Sequence, residues 1–267
     1  MSTSTPTRKE ERERARAERK RKEQEEALQA QRKRRLFYLG GGLLVLIAVV
    51  AIVIAVASGG GSSPSSGASS SVSGVKGTDA VRAQYAGIPQ KGNVLGASDA
   101  PATMMVFADL QCPFCAQFET QMFPKLVNRY VRPGKLKVIF QPIAIIGQDS
   151  VAGAHASASA GQQNKMFDYA SLFYLNQGQE NTGYITDSFL TNLAKSVPGL
   201  DVSKWKADLN SQGVSSMLSQ AQSAAQTAGV NSTPTFLVAK RGKPLQRFDV
   251  SDYTPQAFYP KLDSLTK

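Results

Sequence analysis

Two cysteines occur in 267 residues, and they stand three apart as Cys112-Pro113-Phe114-Cys115. Thiols at this spacing can interconvert between dithiol and disulfide. On a helix, residues i and i+3 share a face, so the two sulfurs meet with little backbone change. Pro113 suits the first helical position, where its fixed φ fits and its missing N–H is not needed. Cys112 then falls at the N-cap, where unpaired backbone N–H groups and the positive end of the helix dipole favour a thiolate. Thiolates so placed titrate well below the free value of about 8.5. A stabilised thiolate favours the dithiol and makes the disulfide a stronger oxidant. Cys115, one turn further in, is expected to be the more buried and thiol-like sulfur, leaving Cys112 solvent-facing.

Other uses of the pair compete with this one. Structural zinc needs more ligands, typically two cysteine pairs or two added histidines. The chain offers one histidine, His155, and no third cysteine, which argues against a metal site. A purely structural disulfide remains open, but a two-residue ring restrains little of the unfolded chain. A cytosolic glutaredoxin would also suit the motif, so the compartment matters.

Residues 36–57 (LFYLGGGLLVLIAVVAIVIAVA) run 22 residues without a charge. At about 1.5 Å per residue they can span a hydrocarbon core of roughly 30 Å. Arg32-Lys33-Arg34-Arg35 abuts their N-terminal end, and the first basic residue beyond them is Lys76. The positive-inside bias places the N-terminus in the cytoplasm and the remainder outside. Ala55-Val56-Ala57 resembles a cleavage site, so a removed signal peptide is the alternative, although the apolar stretch exceeds the usual 7–15 residues. Either way the cysteines reach a compartment where disulfides persist, which weakens the glutaredoxin reading.

The flanking segments carry no chemistry of their own. Residues 1–35 hold 13 Lys/Arg against 7 Glu, a net +6 of the chain's +11. They show no apolar face, which fits a solvated cytoplasmic tail touching anionic lipid rather than a nucleic-acid binder. Residues 58–80 are Ser/Gly-rich and read as a flexible tether reaching roughly 25 Å.

Residues 81–267 are long enough for one domain with a real core. A buried strand is expected over 104–110, directly before a helix over 112–131 that Pro124 should kink. A second strand is expected over 136–145, ending at Pro142. Helical signals dominate from about 149 to 230. Strands over 235–240 and 245–250 follow, joined by the turn Arg241-Gly242-Lys243-Pro244. Thr254-Pro255 reads as the N-cap and N1 of a closing helix. His155 reads as a surface or packing residue and Met104 and Met105 as core packing; Trp205, Phe167, Tyr169, Phe173 and Tyr174 read as core of the helical block, with the lining of a peptide groove as the alternative for some of them.

Three stretches resemble the DsbA-like branch of the thioredoxin superfamily: Gly92-Asn93-Val94-Leu95-Gly96 with Ala100-Pro101, then Ala108-Asp109-Leu110-Gln111-Cys112-Pro113-Phe114-Cys115, and Gly229-Val230-Asn231-Ser232-Thr233-Pro234-Thr235-Phe236. The resemblance implies an α/β thioredoxin-like fold with an inserted helical domain (about 149–230), here preceded by a single transmembrane helix. It casts Thr233-Pro234 as a cis element beside the cysteines, with the Thr233 backbone open to a substrate strand. Relatives often carry an acid six residues before the first cysteine, but this chain has Val106 there. Proton transfer at Cys115 would then run through water or through Asp109, which reads otherwise as a turn residue.

These readings converge on an extracytoplasmic, membrane-anchored thiol–disulfide oxidoreductase that oxidises cysteine pairs in exported proteins. Cys112 and Cys115 are the expected catalytic residues, with Pro113, Phe114, Thr233, Pro234 and Asp109 supporting them. No cofactor is expected. The family implies a quinone-linked membrane recycling partner of the DsbB or VKOR type. A reductase or isomerase of the same fold, or a tethered chaperone without turnover, are the alternatives.

Overall fold

The computed structural model describes residues 74–267. The basic tail, the apolar span and most of the expected tether lie outside the described residues. Among the described residues, no helix is long and apolar enough to cross a membrane.

The first element is a helix, α1 (Thr78–Tyr85), so ordered structure begins inside the stretch expected as tether. A small hairpin follows, β1 (Gln90–Lys91) and β2 (Val94–Leu95). Gly92 turns it at φ 58°, a conformation that favours glycine. The central strand β3 (Ala102–Ala108) leads into α2 (Pro113–Gln121), a short α3 (Phe123–Leu126) and a π turn over Val127–Val131. Strand β4 (Leu136–Pro142) runs parallel to β3. Helices α4 (Gln148–Gly161), α5 (Met166–Leu175), α6 (Asp187–Ser196), α7 (Val202–Asp208) and α8 (Gln212–Thr227) come next. The chain closes with β5 (Thr235–Lys240), β6 (Gln246–Arg247) and α9 (Pro255–Leu265). The six strands are ordered β1-β2-β4-β3-β5-β6, with β5 antiparallel to β3.

The pleat sends alternate side chains of β3 to two cores. Ala102, Met104, Val106 and Ala108 join the main core, with Phe236 and Val238 from β5 and Phe258 and Leu262 from α9. Phe107 points the other way and packs with Leu237, Ile143, Ala221 and Ala225, so α8 covers that face. Both faces are therefore buried, which explains why β3 reads as a continuous apolar run rather than an alternating one.

Three expectations change. The single helix over 112–131 is broken at Met122 (φ −112°). Pro124 cannot donate an N–H back to the preceding turn, so the helix restarts two residues earlier at a new N-terminus. The strand over 245–250 shortens to Gln246–Arg247 because only two residues find partners on β5. Phe248 then turns inward, its N–H donating to the Phe236 carbonyl at 2.9 Å. Thr254 occupies the N-cap of α9, but its hydroxyl donates to Asp252 instead of accepting from the helix.

Candidate active site

The two sulfurs lie at the junction of β3 and α2. Cys112 is the N-cap of α2, Pro113 takes the first turn, and the Ala116 N–H donates to the Cys112 carbonyl at 3.1 Å. The helix is held from behind by Phe118, three residues past Cys115. Its ring packs 4.8 Å from Phe236 and 5.7 Å from Phe258, centroid to centroid, tying α2 to β5 and α9. Aromatic pairs at such distances add to plain area burial.

Both cysteines are free thiols, and both are buried. Cys112 is 4% exposed and Cys115 1%. Exposure therefore does not separate them, contrary to the expectation of a solvent-facing Cys112; Thr233 lies against its sulfur. Phe114, between the cysteines, is the exposed member of the motif at 61%. What separates the sulfurs is hydrogen bonding at Cys112 and the cost of burial at Cys115. The Cys112 thiol is lowered to about 6, chiefly because Cys115 donates to its sulfur; Thr233 and the Cys115 and Phe114 backbone groups add to this, against the cost of burial. Cys115 is pushed well above its ordinary value, mainly by burial and then by the neighbouring Cys112. One sulfur is a thiolate at neutral pH and the other a thiol.

The loop before β5 completes the site. The Thr233–Pro234 bond is cis, and the protonated Cys112 Sγ donates to the Thr233 carbonyl at 3.3 Å. Two segments 121 residues apart thus meet at one sulfur.

Asp109 is fully buried and serves the backbone. Its Oδ1 accepts from the Gln111 N–H at 2.9 Å, and its Oδ2 from Ile145 and Ile146 N–H at 2.9 and 3.0 Å. A carboxylate bound by three amides fixes the loop after β4 against the strand end before Cys112. These backbone partners give it a scaffold role.

Several contributors were not assigned to the site from the sequence. Gln177 donates from Nε2 to the carbonyls of Leu110 at 2.7 Å and Cys112 at 3.2 Å, linking the end of α5 to the helix start. Gln111 bridges Ser150 and the Asn181 N–H at 2.9 and 2.8 Å. Tyr174 donates to the Asp109 carbonyl at 3.2 Å. The helical block therefore braces the approach to the cysteines. Glu119, one turn beyond Cys115, is buried beside Tyr85 and Ser171. The one available signal was an acid four residues after Cys115, on the helix face shared with Cys115, Ala116, Met122 and Phe123. His155 and Trp205 are packing residues: the imidazole meets the Leu209 carbonyl at 2.8 Å, and the indole N–H donates to Ala156 at 2.9 Å.

Comparison with known proteins agrees with this architecture. A family model described as Thioredoxin matches residues 89–244. The probable disulfide bond formation protein D of Bacillus cereus is 31% identical over 147 residues, covering 54% of this chain and 68% of that protein. Disulfide bond formation protein D of Bacillus subtilis is 28% identical over 165 residues, covering 61% of this chain and 73% of that one. The crystal structure of oxidised BdbD from Bacillus subtilis superposes with a TM-score of 0.57 at 22% identity, over 67% of this chain and 97% of that chain. With its paired cysteines at a helix start, the chain belongs to the thioredoxin family, among the DsbA-like thiol–disulfide oxidoreductases.

Proposed function

We propose that the protein is a membrane-anchored, extracytoplasmic oxidase that introduces disulfides into exported proteins through Cys112 and Cys115. The observation that carries this reading is the division between the sulfurs: Cys112 held down to about 6, Cys115 held far up. A thiolate stabilised this way makes the dithiol the favoured state and the disulfide an electron acceptor.

In the oxidised enzyme, a client thiolate attacks Cys112 Sγ. The Cys112–Cys115 bond breaks, and Cys115 leaves with the electron pair and takes a proton. A second client thiolate attacks the client sulfur of the mixed disulfide and expels the Cys112 thiolate. The client loses two electrons and the enzyme gains them. Thiolates with low proton affinity leave readily, so the second step is also favoured at Cys112. Phe114, exposed beside the pair, offers an apolar contact to the client, and the Thr233 carbonyl lies where a client strand would pass the sulfurs. Pro113 and Pro234 fix the backbone on either side, and Asp109 holds the preceding loop.

Reoxidation requires an electron acceptor, and a quinone-linked membrane protein of the DsbB or VKOR type supplies the right chemistry. The uncharged span over 36–57 and its basic N-terminal flank support the anchor and the orientation. A refolding assay tests the direction. The oxidised domain should restore activity to a reduced, unfolded client with paired cysteines at near-stoichiometric yield, and should reduce insulin poorly. Efficient insulin reduction without refolding activity would reverse the direction to reductase.

A further inference from the structure

The described chain enters the domain at the end that carries the cysteines. The Lys76 N–H donates to Asn176 Oδ1 at 2.8 Å, and Asn176 Nδ2 donates back to the Lys76 carbonyl at 3.0 Å. The same Nδ2 donates to the Leu172 carbonyl at 2.8 Å, which seats the amide on the last turn of α5. Val75 packs against the main core, and Gly77 turns past Leu175 at φ 85°, where a Cβ would crowd that side chain. Directly after this clamp comes Gln177, whose side chain holds the Leu110 and Cys112 carbonyls. Two side-chain contacts and one peptide unit therefore separate Lys76 from Cys112, a span of roughly 20 Å at most.

The rest of the domain extends away from this end. Strand β3 runs toward Cys112 from Ala102, which pairs with Leu136 of β4 and Lys240 of β5 at the far end of the sheet. Seven residues of strand put the two ends about 20 Å apart. Helix α1 starts beside Asn176 and leads outward; at its close the Gln84 and Ala86 carbonyls accept from Arg132, just ahead of β4, at 2.8 Å each. Leu265, near the end of α9, lines one groove with Val238, Ala239 and Lys240, again at the far end. Of the two ends of the described chain, it is the first that meets the cysteines. Sixteen residues, 58–73, connect it to the uncharged span. Fully extended they measure at most about 58 Å, and a coil of Gly/Ser composition of this length averages about 22 Å.

We propose that this attachment presents Cys112 to the membrane surface, so that thiols and disulfides displayed at headgroup height by membrane-embedded proteins are its preferred exchange partners. The proposal rests on the anchored reading given above. Attachment at the far end of the sheet would carry the sulfurs outward by the length of β3; attachment beside Cys112 leaves their distance to the tether alone. Exchange within one membrane then runs at an effective concentration set by the tether, in the millimolar range for short flexible linkers. Phe114, 61% exposed between the cysteines, lies at the same end and meets such a partner first. Clients free in solution gain nothing from the tether. The geometry favours the recycling partner and clients still held at the membrane over released ones.

The full-length protein in phospholipid vesicles provides the test, with phosphatidylethanolamine bearing a pyridyl disulfide on its headgroup as the probe. The Cys112 thiolate of the reduced protein attacks the lipid-side sulfur. A bond from Cys112 to that sulfur forms, the probe disulfide breaks, and pyridine-2-thione leaves with the electron pair and is read by its absorbance. Cys112 is oxidised and the pyridyl sulfur reduced. Soluble dipyridyl disulfide on the same sample reports the intrinsic reactivity of the thiolate. A Gly/Ser insertion after Ser63 that lengthens the tether about fourfold should slow reaction with the lipid probe by about 8-fold, since effective concentration falls as the −3/2 power of length. The rate with the soluble probe should stay the same. An equal or faster lipid-probe reaction in the extended protein would overturn the proposal, because the native attachment would then hold the cysteines away from the surface. Release of the protein from membranes by alkaline carbonate would instead remove the anchored reading and this proposal with it, and a Cys112 inert to the soluble probe would remove the thiol–disulfide reading itself.

Discussion

Replacing Cys112 by Ser is expected to abolish both turnover and covalent capture of clients, whereas Cys115→Ser should trap them. Neither sulfur is exposed, and the asymmetry comes from hydrogen bonding at Cys112 and deeper burial at Cys115. Cys112 is the thiolate and the better leaving group, and Cys115 is a thiol closed in by the core. With Cys115→Ser the Cys112 thiol remains, but its internal resolving partner is gone. Mixed disulfides at Cys112 should persist and appear as higher-mass bands on non-reducing gels, which the Cys112→Ser protein should lack. In single-turnover exchange the loss with Cys112→Ser should be complete within detection, since the one thiol left, Cys115, is buried and held protonated. Capture that required Cys115 and survived loss of Cys112 would reverse the assignment of attacked and resolving sulfurs.

The second large effect is on stability. A Cys112 pKa of about 6 in the folded protein compares with about 8.5 in an unfolded chain. A depressed acid stabilises the folded dithiol fully above the unfolded value and loses that contribution as pH falls through the folded one. The amount is about 1.4 kcal/mol at pH 7 and about 2.6 kcal/mol at pH 8, falling to near zero at pH 5. The disulfide form has no such titration at Cys112. Denaturant melts should therefore show the reduced protein gaining on the oxidised one by about 2.5 kcal/mol between pH 5 and 8. Above pH 8 Cys115 works in the opposite sense, because its folded value is raised and its contribution is lost on the alkaline side. Melts of the two forms that ran parallel across this window would contradict a low Cys112 pKa.

The cysteine centre was legible because its determinants are local. An apolar run, a capping residue, a proline at N1 and an i, i+3 pair lie within a dozen residues, and the structure has β3, Cys112 at the N-cap and α2 in that order. The β5 boundaries, Thr235–Lys240, were likewise set by an unbroken apolar run ending in a Gly-containing turn. The hairpin of β1 and β2 escaped because two-residue strands carry no periodicity; its residues were noticed as a motif without an assigned shape. The start of α1 was missed by placing the tether boundary at a composition shift, although Thr78 already begins a helix whose Val81 and Tyr85 enter the core.

The remaining differences are tertiary. Cys112 was expected to face solvent because an N-cap lies at a helix end, but the loop carrying Thr233 folds back over it from 121 residues away. The same holds for Glu119, whose partners Tyr85 and Ser171 lie 34 and 52 residues distant. An acid on a helix reads as a solvated side chain until its neighbours are known. Asp109 could be narrowed to a turn residue or a proton carrier, and only the position of the Ile145 and Ile146 amides decides for the turn.

The central claim is that Cys112 and Cys115 form an oxidising couple, and its most direct test is their equilibrium potential. Equilibrating the protein with defined ratios of reduced and oxidised glutathione at pH 7, followed by thiol alkylation, gives that value. The account predicts a potential clearly above thioredoxin's approximately −270 mV, each 1.4 kcal/mol of thiolate stabilisation raising it by about 30 mV. A potential at or below thioredoxin's would contradict the account and make the protein a reductant.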